Sequence, residues 1–164
     1  MSKKSKIDKT NALRIVETLK LKHEVLTYEL TDGKVDGVSV AEKIGKDPKL
    51  VFKTLVTQGS DKNYYVFVIP VDETLNLKAA AASVSVKSVE MIPVLDINKI
   101  TGYVRGGCSP IGMKKQFVTV LDEDCLNFEE MIVSAGRIGL QMVISPKDLI
   151  EATHGKIACI TTKS

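Results

Sequence analysis

The chain has 164 residues, 44% hydrophobic and 26% charged, with a formal net charge of +3. That is enough for one domain burying about two-thirds of its unfolded surface. No apolar stretch reaches the ~20 residues of a membrane span, and the basic start Met1-Ser2-Lys3-Lys4-Ser5-Lys6 meets Ile7-Asp8-Lys9 where a signal peptide needs apolar residues, so a cytoplasmic protein is expected.

The expected domain spans residues 1–164, with 1–7 as a flexible basic tail. Thr10 is placed to cap a helix in which Ala12, Leu13, Val16 and Leu19 follow the 3.6-residue period. Residues 24–30 read as a strand, and Thr31-Asp32-Gly33 as a turn into a mobile loop. Ser39 caps a short helix over 40–44, closed by Gly45, and Asp47-Pro48 ends helical structure. Residues 50–57 are β-branched and apolar and read as a buried strand. Gly59-Ser60-Asp61-Lys62-Asn63 is a hairpin loop, and 64–71 is the return strand. Thr74 or Asn76 opens a helix through Ala79–Ala82, 88–91 is extended, and Asp96 caps one turn through Ile100.

Residues 117–121, 131–134 and 140–144 read as further strands. Ser145-Pro146 starts a helix, since proline at the first helical position gives up a donor that has no partner there. That helix runs to about Thr153, Gly155 stops it, and 157–161 is the last strand. Six or seven strands and four or five helices in irregular order point to the α+β class.

Two features carry chemistry. The first is Lys53 in Val51-Phe52-Lys53-Thr54-Leu55. Strand alternation puts it on one face with Val51 and Leu55, opposite Phe52, Thr54 and Val56. Such a lysine either lies in a pocket or snorkels from a sheet rim. The second is the loop Gly106-Gly107-Cys108-Ser109-Pro110-Ile111-Gly112, flanked by Arg105 and Lys114-Lys115. It is neither a Walker A sequence nor a GxGxxG fingerprint, but its glycines let a ligand approach backbone N–H groups. If lysine and loop meet, they make a site for an anion or a polarised carbonyl.

Other chemistries find less support. Cys108, Cys125 and Cys159 are an odd, widely spaced set, against a disulfide framework or a CxxC metal site. His23 and His154 suit caps or solvent contacts and make no zinc pattern with the cysteines. No GxSxG elbow is present. Cys108 alone sits in a loop suited to a thiol nucleophile. Residues 1–22 hold seven basic and two acidic side chains, a charge of +5 against −2 for the rest. That end could attract a polyanion such as RNA or serve as a solubilising tail.

Across almost its whole length the sequence resembles the YbaK/EbsC proteins, relatives of the editing domain inserted in bacterial prolyl-tRNA synthetases. The resemblance rests on Thr27-Tyr28-Glu29, Val51 to Leu55, Lys87-Ser88-Val89-Glu90-Met91, Thr101-Gly102-Tyr103 running into the glycine loop, and Val133-Ser134-Ala135-Gly136-Arg137-Ile138-Gly139-Leu140. It implies one α+β domain with a mixed, barrel-like sheet of about six or seven strands. It also implies deacylation of misacylated Cys-tRNA(Pro), with Cys-tRNA(Cys) as a further substrate and no metal or cofactor.

By resemblance Lys53 is the essential lysine, with Gly106 and Gly107 offering backbone N–H groups to the ester oxyanion. Tyr28, Phe52, Ser109, Pro110, Ser134 and Gln141 match substrate-binding positions. The substrate's own thiol would attack its carbonyl and leave as a thiolactone. A transient complex with prolyl-tRNA synthetase is implied, while the oligomeric state, monomer or weak dimer, is left open by the sequence. The chain departs from the pattern at Ala135, Ile138 and Gln141, the last where an aspartate is common, which bears on amino-acid preference. Deacylation of another small residue such as alanine, and non-catalytic binding of the tRNA 3′ end, are the alternatives.

Overall fold

The computed structural model describes residues 9–30 and 32–162. The basic tail expected at residues 1–7, and Thr31 of the expected turn, lie outside them. Helix α1 (Asn11–Thr18) starts as expected: Thr10 accepts a hydrogen bond from the Leu13 amide and donates one to the Ala135 carbonyl. Leu19 follows the last turn and is 41% exposed, off the apolar face where the period puts it. Strand β1 (His23–Thr27) ends before Tyr28. Helix α2 (Gly37–Lys43) is capped by Asp36, not Ser39; it is the Ser39 amide that the Asp36 carboxylate accepts from. Asp47-Pro48 opens a single 3-10 turn over Pro48–Leu50 instead of only ending a helix.

Strands β2 (Phe52–Gly59) and β3 (Tyr64–Pro70) form the expected hairpin, with Phe52 opposite Pro70. Strand β4 (Thr74–Leu75) is too short to show in the sequence pattern. Helix α3 (Leu77–Ser83) is capped by Asn76, strand β5 (Val89–Met91) follows, and α4 (Ile97–Thr101) begins after a 3-10 turn. Asp96 makes no cap there and pairs with Lys99 at 3.4 Å. Strand β6 (Val118–Asp122) precedes the hairpin of β7 (Met131–Arg137) and β8 (Leu140–Ile144). Helix α5 (Pro146–Thr153) is capped by Ser145 and ends at His154, which takes the left-handed conformation in place of Gly155. The last expected strand is two, β9 (Lys156–Ala158) and β10 (Thr161–Thr162). Between them the Asp122 carboxylate accepts the Ile160 amide at 3.0 Å.

The main sheet runs β5-β2-β3-β6-β9, a second runs β1-β8-β7, and β10 pairs with β4. Pairing of β3 with β6 and of β6 with β9 is parallel, so the main sheet is mixed as expected. It does not close into a barrel, and the described residues hold ten strands in three sheets, not one sheet of six or seven. A bridge between Val51 and Ile132 joins the two larger sheets.

The helices have at most eight residues, below the ~12–15 at which an isolated helix holds, so packing holds them. Leu13 and Val16 of α1 and Leu149 of α5 pack on Met131, Val133, Met142 and Ile144. A second cluster, with Phe67, Ile69, Val120 and Ile160, takes in Ala80 and Ala81 of α3. A third (Ala41, Val51, Val71, Ile132 and Val143) lies where α2 meets the two sheets. Among the described residues no helix is long and apolar enough to cross a membrane.

Candidate active site

Strand β2 pairs with β3 along its length but with β5 only from Thr57 to Gly59. Its β5-side edge at Lys53 and Thr54 therefore lacks a neighbouring strand. A cavity of about 160 Å³ lies here, lined by Phe52, Lys53 and Thr54 of β2, Val35, Gly37 and Val40 around the start of α2, Gly106 and Cys108, Ser134 of β7 and Gln141 of β8, with Val51 and Val71. Lysine and glycine loop thus meet.

Lys53 is half-buried, and among the described residues its ammonium has no hydrogen-bond or ion-pair partner. Burial holds its pKa below the ordinary lysine value, partly offset by the negative charge of Asp72. Of the two readings left open by the alternation, this is the pocket lysine. Such an ammonium is poised to gain by meeting a developing oxyanion, because desolvation strengthens the attraction.

Gly106 has φ of +86° and its Cα lies close to the Val35 side chain, which a Cβ would meet at 3.2 Å. Its amide makes no hydrogen bond among the described residues. Gly107 differs. Its amide donates to the Val104 carbonyl at 2.9 Å, and a Cβ there would sit 2.8 Å from the Ile138 nitrogen. Its amide is therefore already engaged by the loop's own backbone, and the residue serves close packing of the loop on the β7–β8 hairpin.

Ser134 and Gln141 face each other in register across that hairpin and both reach the cavity. Ser134 Oγ accepts from the Gly136 amide at 3.2 Å. Phe52 lines the cavity while packing into the core behind it. Besides Gly107, three expected positions lie outside the lining. Ser109 is buried with its Oγ accepting from the Ile111 amide at 3.2 Å, and Pro110 is buried beside it. Tyr28 is buried behind, with Lys43 Nζ 5.7 Å from its ring centre and its hydroxyl without a partner among the described residues.

Thr54 is the residue that strand alternation misses. Period 2 points it away from Lys53, yet at an unpaired strand edge neighbouring residues can border the same space. Its Oγ1 is buried without a partner among the described residues. It stands at the seam with a second cleft of about 240 Å³, mostly apolar, lined by Leu55, Val56, Met91, Ile92, Val94, Ile97 and Arg105, which shares Thr54, Gly106 and Cys108 with the first. Cys108 is not a ready nucleophile: burial pushes its thiol up to about 11, and the thiolate is the reactive form. Among the described residues no group of three or more His, Cys, Asp or Glu could hold a metal ion.

The model of the aminoacyl-tRNA editing domain matches residues 34–152, which contain every residue lining the cavity. The chain belongs to the aminoacyl-tRNA editing domain family. It is 43% identical over 163 residues, 99% of each chain, to EbsC of Enterococcus faecalis, a protein named for deacylation of Cys-tRNA(Pro) and Cys-tRNA(Cys). The fold matches the hypothetical protein APE2540 with a TM-score of 0.84 at 22% identity, covering 93% of this chain and all of that one. It also matches a protein named as a candidate trans-editing enzyme for prolyl-tRNA synthetase, with a TM-score of 0.79 at 23% identity over 96% of this chain and all of that one. The family expected from the sequence motifs is the family found.

Proposed function

We propose that this protein is a trans-acting deacylase of Cys-tRNA(Pro), acting also on Cys-tRNA(Cys). The observation that carries the reading is the unpaired, desolvated Lys53 ammonium beside Gly106 in a cavity of about 160 Å³, in a chain so close to EbsC over its full length. That volume suits a small aminoacyl group. Lys53 draws the ester carbonyl oxygen, and the Gly106 amide is a second donor; losing one such donor costs on the order of 10²–10³ in rate.

The lining holds neither a histidine nor a carboxylate, and Cys108 stays protonated. The nucleophile we assign is the substrate's own thiol, the route that the family resemblance implies and that such a lining accommodates. Its sulfur bonds to the carbonyl carbon, the carbon–oxygen ester bond breaks, and the thiol proton ends on the departing ribose oxygen, leaving a thiolactone. Positioning of this kind supplies ~7–11 kcal/mol. The adjoining cleft takes the 3′-terminal nucleoside, whose base lies on Met91, Val94 and Ile97 with Thr54 at the ribose. We infer that a protein acting on charged tRNA works in the cytoplasm, in passing contact with prolyl-tRNA synthetase.

The test is a deacylation panel with Cys-, Ala- and Ser-tRNA(Pro), using wild type and Lys53→Ala. The expected result is turnover of the cysteinyl ester alone, thiolactone as first product, and loss of turnover in Lys53→Ala with an unchanged circular dichroism spectrum. Equal rates on all three esters overturn the thiol route, preferential turnover of the alanyl ester moves the preference to alanine, and binding without release makes the protein a 3′-end binder.

A further inference from the structure

Gln141 is 5% exposed and paired on both sides, to Ser134 of β7 and Leu26 of β1. It reaches the cavity, yet its side-chain amide makes no hydrogen bond among the described residues. Its polar atoms are not among the fully enclosed unsatisfied ones of the described residues, which belong to Tyr28, Thr54 and Thr161, so the amide opens to the space where the aminoacyl group lies.

The charge inventory of that space is one-sided. Among the lining residues only Lys53 and Cys108 titrate, and the thiol is neutral. On the surrounding elements the charged or titratable groups are His23 and Glu24 of β1, Lys34 and Asp36 before α2, Glu42 and Lys43 on it, Asp72 after β3, Arg105, and Arg137 of β7; none of them lines the cavity. Asp36 is engaged by the Ser39 amide, Lys43 by Asp32, and Asp72 by Lys49 at 3.4 Å. The lining of the cavity therefore carries an ammonium and no carboxylate, with the charge of Asp72 reaching Lys53 only from outside the lining.

A second cation is repelled from such a cavity. The α-amine of an aminoacyl ester is a cation below its pKa, and α-amines titrate at about 7.7–8.0. We propose that the cavity takes the substrate with its α-amine neutral and that Gln141 is the specificity residue that reads this form, its amide N–H donating to the amine lone pair. A side-chain amide donates as well as accepts, whereas a carboxylate only accepts. Ser134 Oγ, directly opposite, is the acceptor for an amine N–H. The inference rests on the reading that this cavity holds the aminoacyl group.

The test compares Cys-tRNA(Pro) with the same tRNA deaminated to its 3-mercaptolactyl ester, which keeps the thiol and ester but has a hydroxyl for the amine. Steady-state kinetics run from pH 6 to 9, with uncatalysed hydrolysis subtracted. For wild type, KM for the cysteinyl ester is expected to fall about tenfold between pH 6.5 and 8, following the neutral fraction of the amine, while KM for the hydroxy ester stays flat. Gln141→Glu should reverse the trend and bind the cysteinyl ester best at acidic pH. A wild-type KM that is flat or rises with pH, or that moves equally for both esters, overturns the inference, as does a Gln141→Glu profile matching wild type. The two wild-type arms decide the matter if the variant does not fold. Lys53→Ala separates the levels: retained turnover sinks the catalytic reading and this inference with it, whereas lost turnover with a pH-independent wild-type KM sinks this inference alone.

Discussion

The interior under α1 and α5 and the cavity at Lys53 are built from the same two sheets in opposite ways. Under the helices, Leu13, Val16, Met131, Met142 and Leu149 pack at no more than 3% exposure, and the polar group at that boundary, the Thr10 hydroxyl, is bonded to both Leu13 and Ala135. At the cavity the Thr54 hydroxyl is buried without a partner among the described residues, and the Lys53 ammonium and Gln141 amide open to the cavity without a hydrogen bond among them. An unsatisfied buried polar group costs about 1–3 kcal/mol. The contrast teaches that the cavity is held open at a cost in stability that the packed region offsets.

The sharpest break in this comparison is Lys53→Ala. Single-turnover deacylation should fall on the order of 10²–10³, while the melting temperature holds or rises, because a desolvated cation has gone. A loss of activity matched by loss of folded protein would mean that Lys53 belongs to the packed region after all. Leu149→Ala acts on the other side. It should cost about 2–5 kcal/mol in urea unfolding and leave kcat per folded molecule unchanged; a change in kcat would tie the two regions together.

Thr54→Val should stabilise by about 1 kcal/mol, by removing an unsatisfied hydroxyl at constant shape, and raise KM severalfold. Lost stability in the same unfolding assay would show that the hydroxyl has a partner. The smallest effect is that of pH. The folded-state pKa of Lys53 lies below the ordinary lysine value of 10.5, so between those two values the unfolded chain holds the extra proton and stability rises with pH. The destabilisation by Lys53 is complete below its folded pKa and is gone by the unfolded one. Denaturation of wild type and Lys53→Met should therefore converge across that window, and kcat should fall there as the ammonium is lost. Curves that stay parallel would contradict a desolvated lysine.

Local signals were sound where one side chain governs one bond. Thr10, Asn76 and Ser145 cap helices because each oxygen reaches an amide three residues on. Ser39 failed as a cap because Asp36, three residues earlier, takes its amide first. The β2–β3 hairpin was readable from its apolar runs and polar turn, whereas the parallel pairing of β3 with β6 joins residues more than fifty apart and leaves no local trace.

The order of elements by itself pointed to the α+β class, and the motifs in their order pointed to the family, because both follow from short-range chemistry repeated at fixed spacing; that Lys53 meets Gly106 was left conditional by the pattern and was decided by the fold. Only the tertiary structure decided that the Gly107 amide bonds Val104, that Thr54 borders the same cavity as Lys53, that Cys108 stays protonated, and that no carboxylate reaches the pocket. Each depends on what a neighbour distant in sequence does to solvent access or to a hydrogen bond, and a linear pattern does not carry that information.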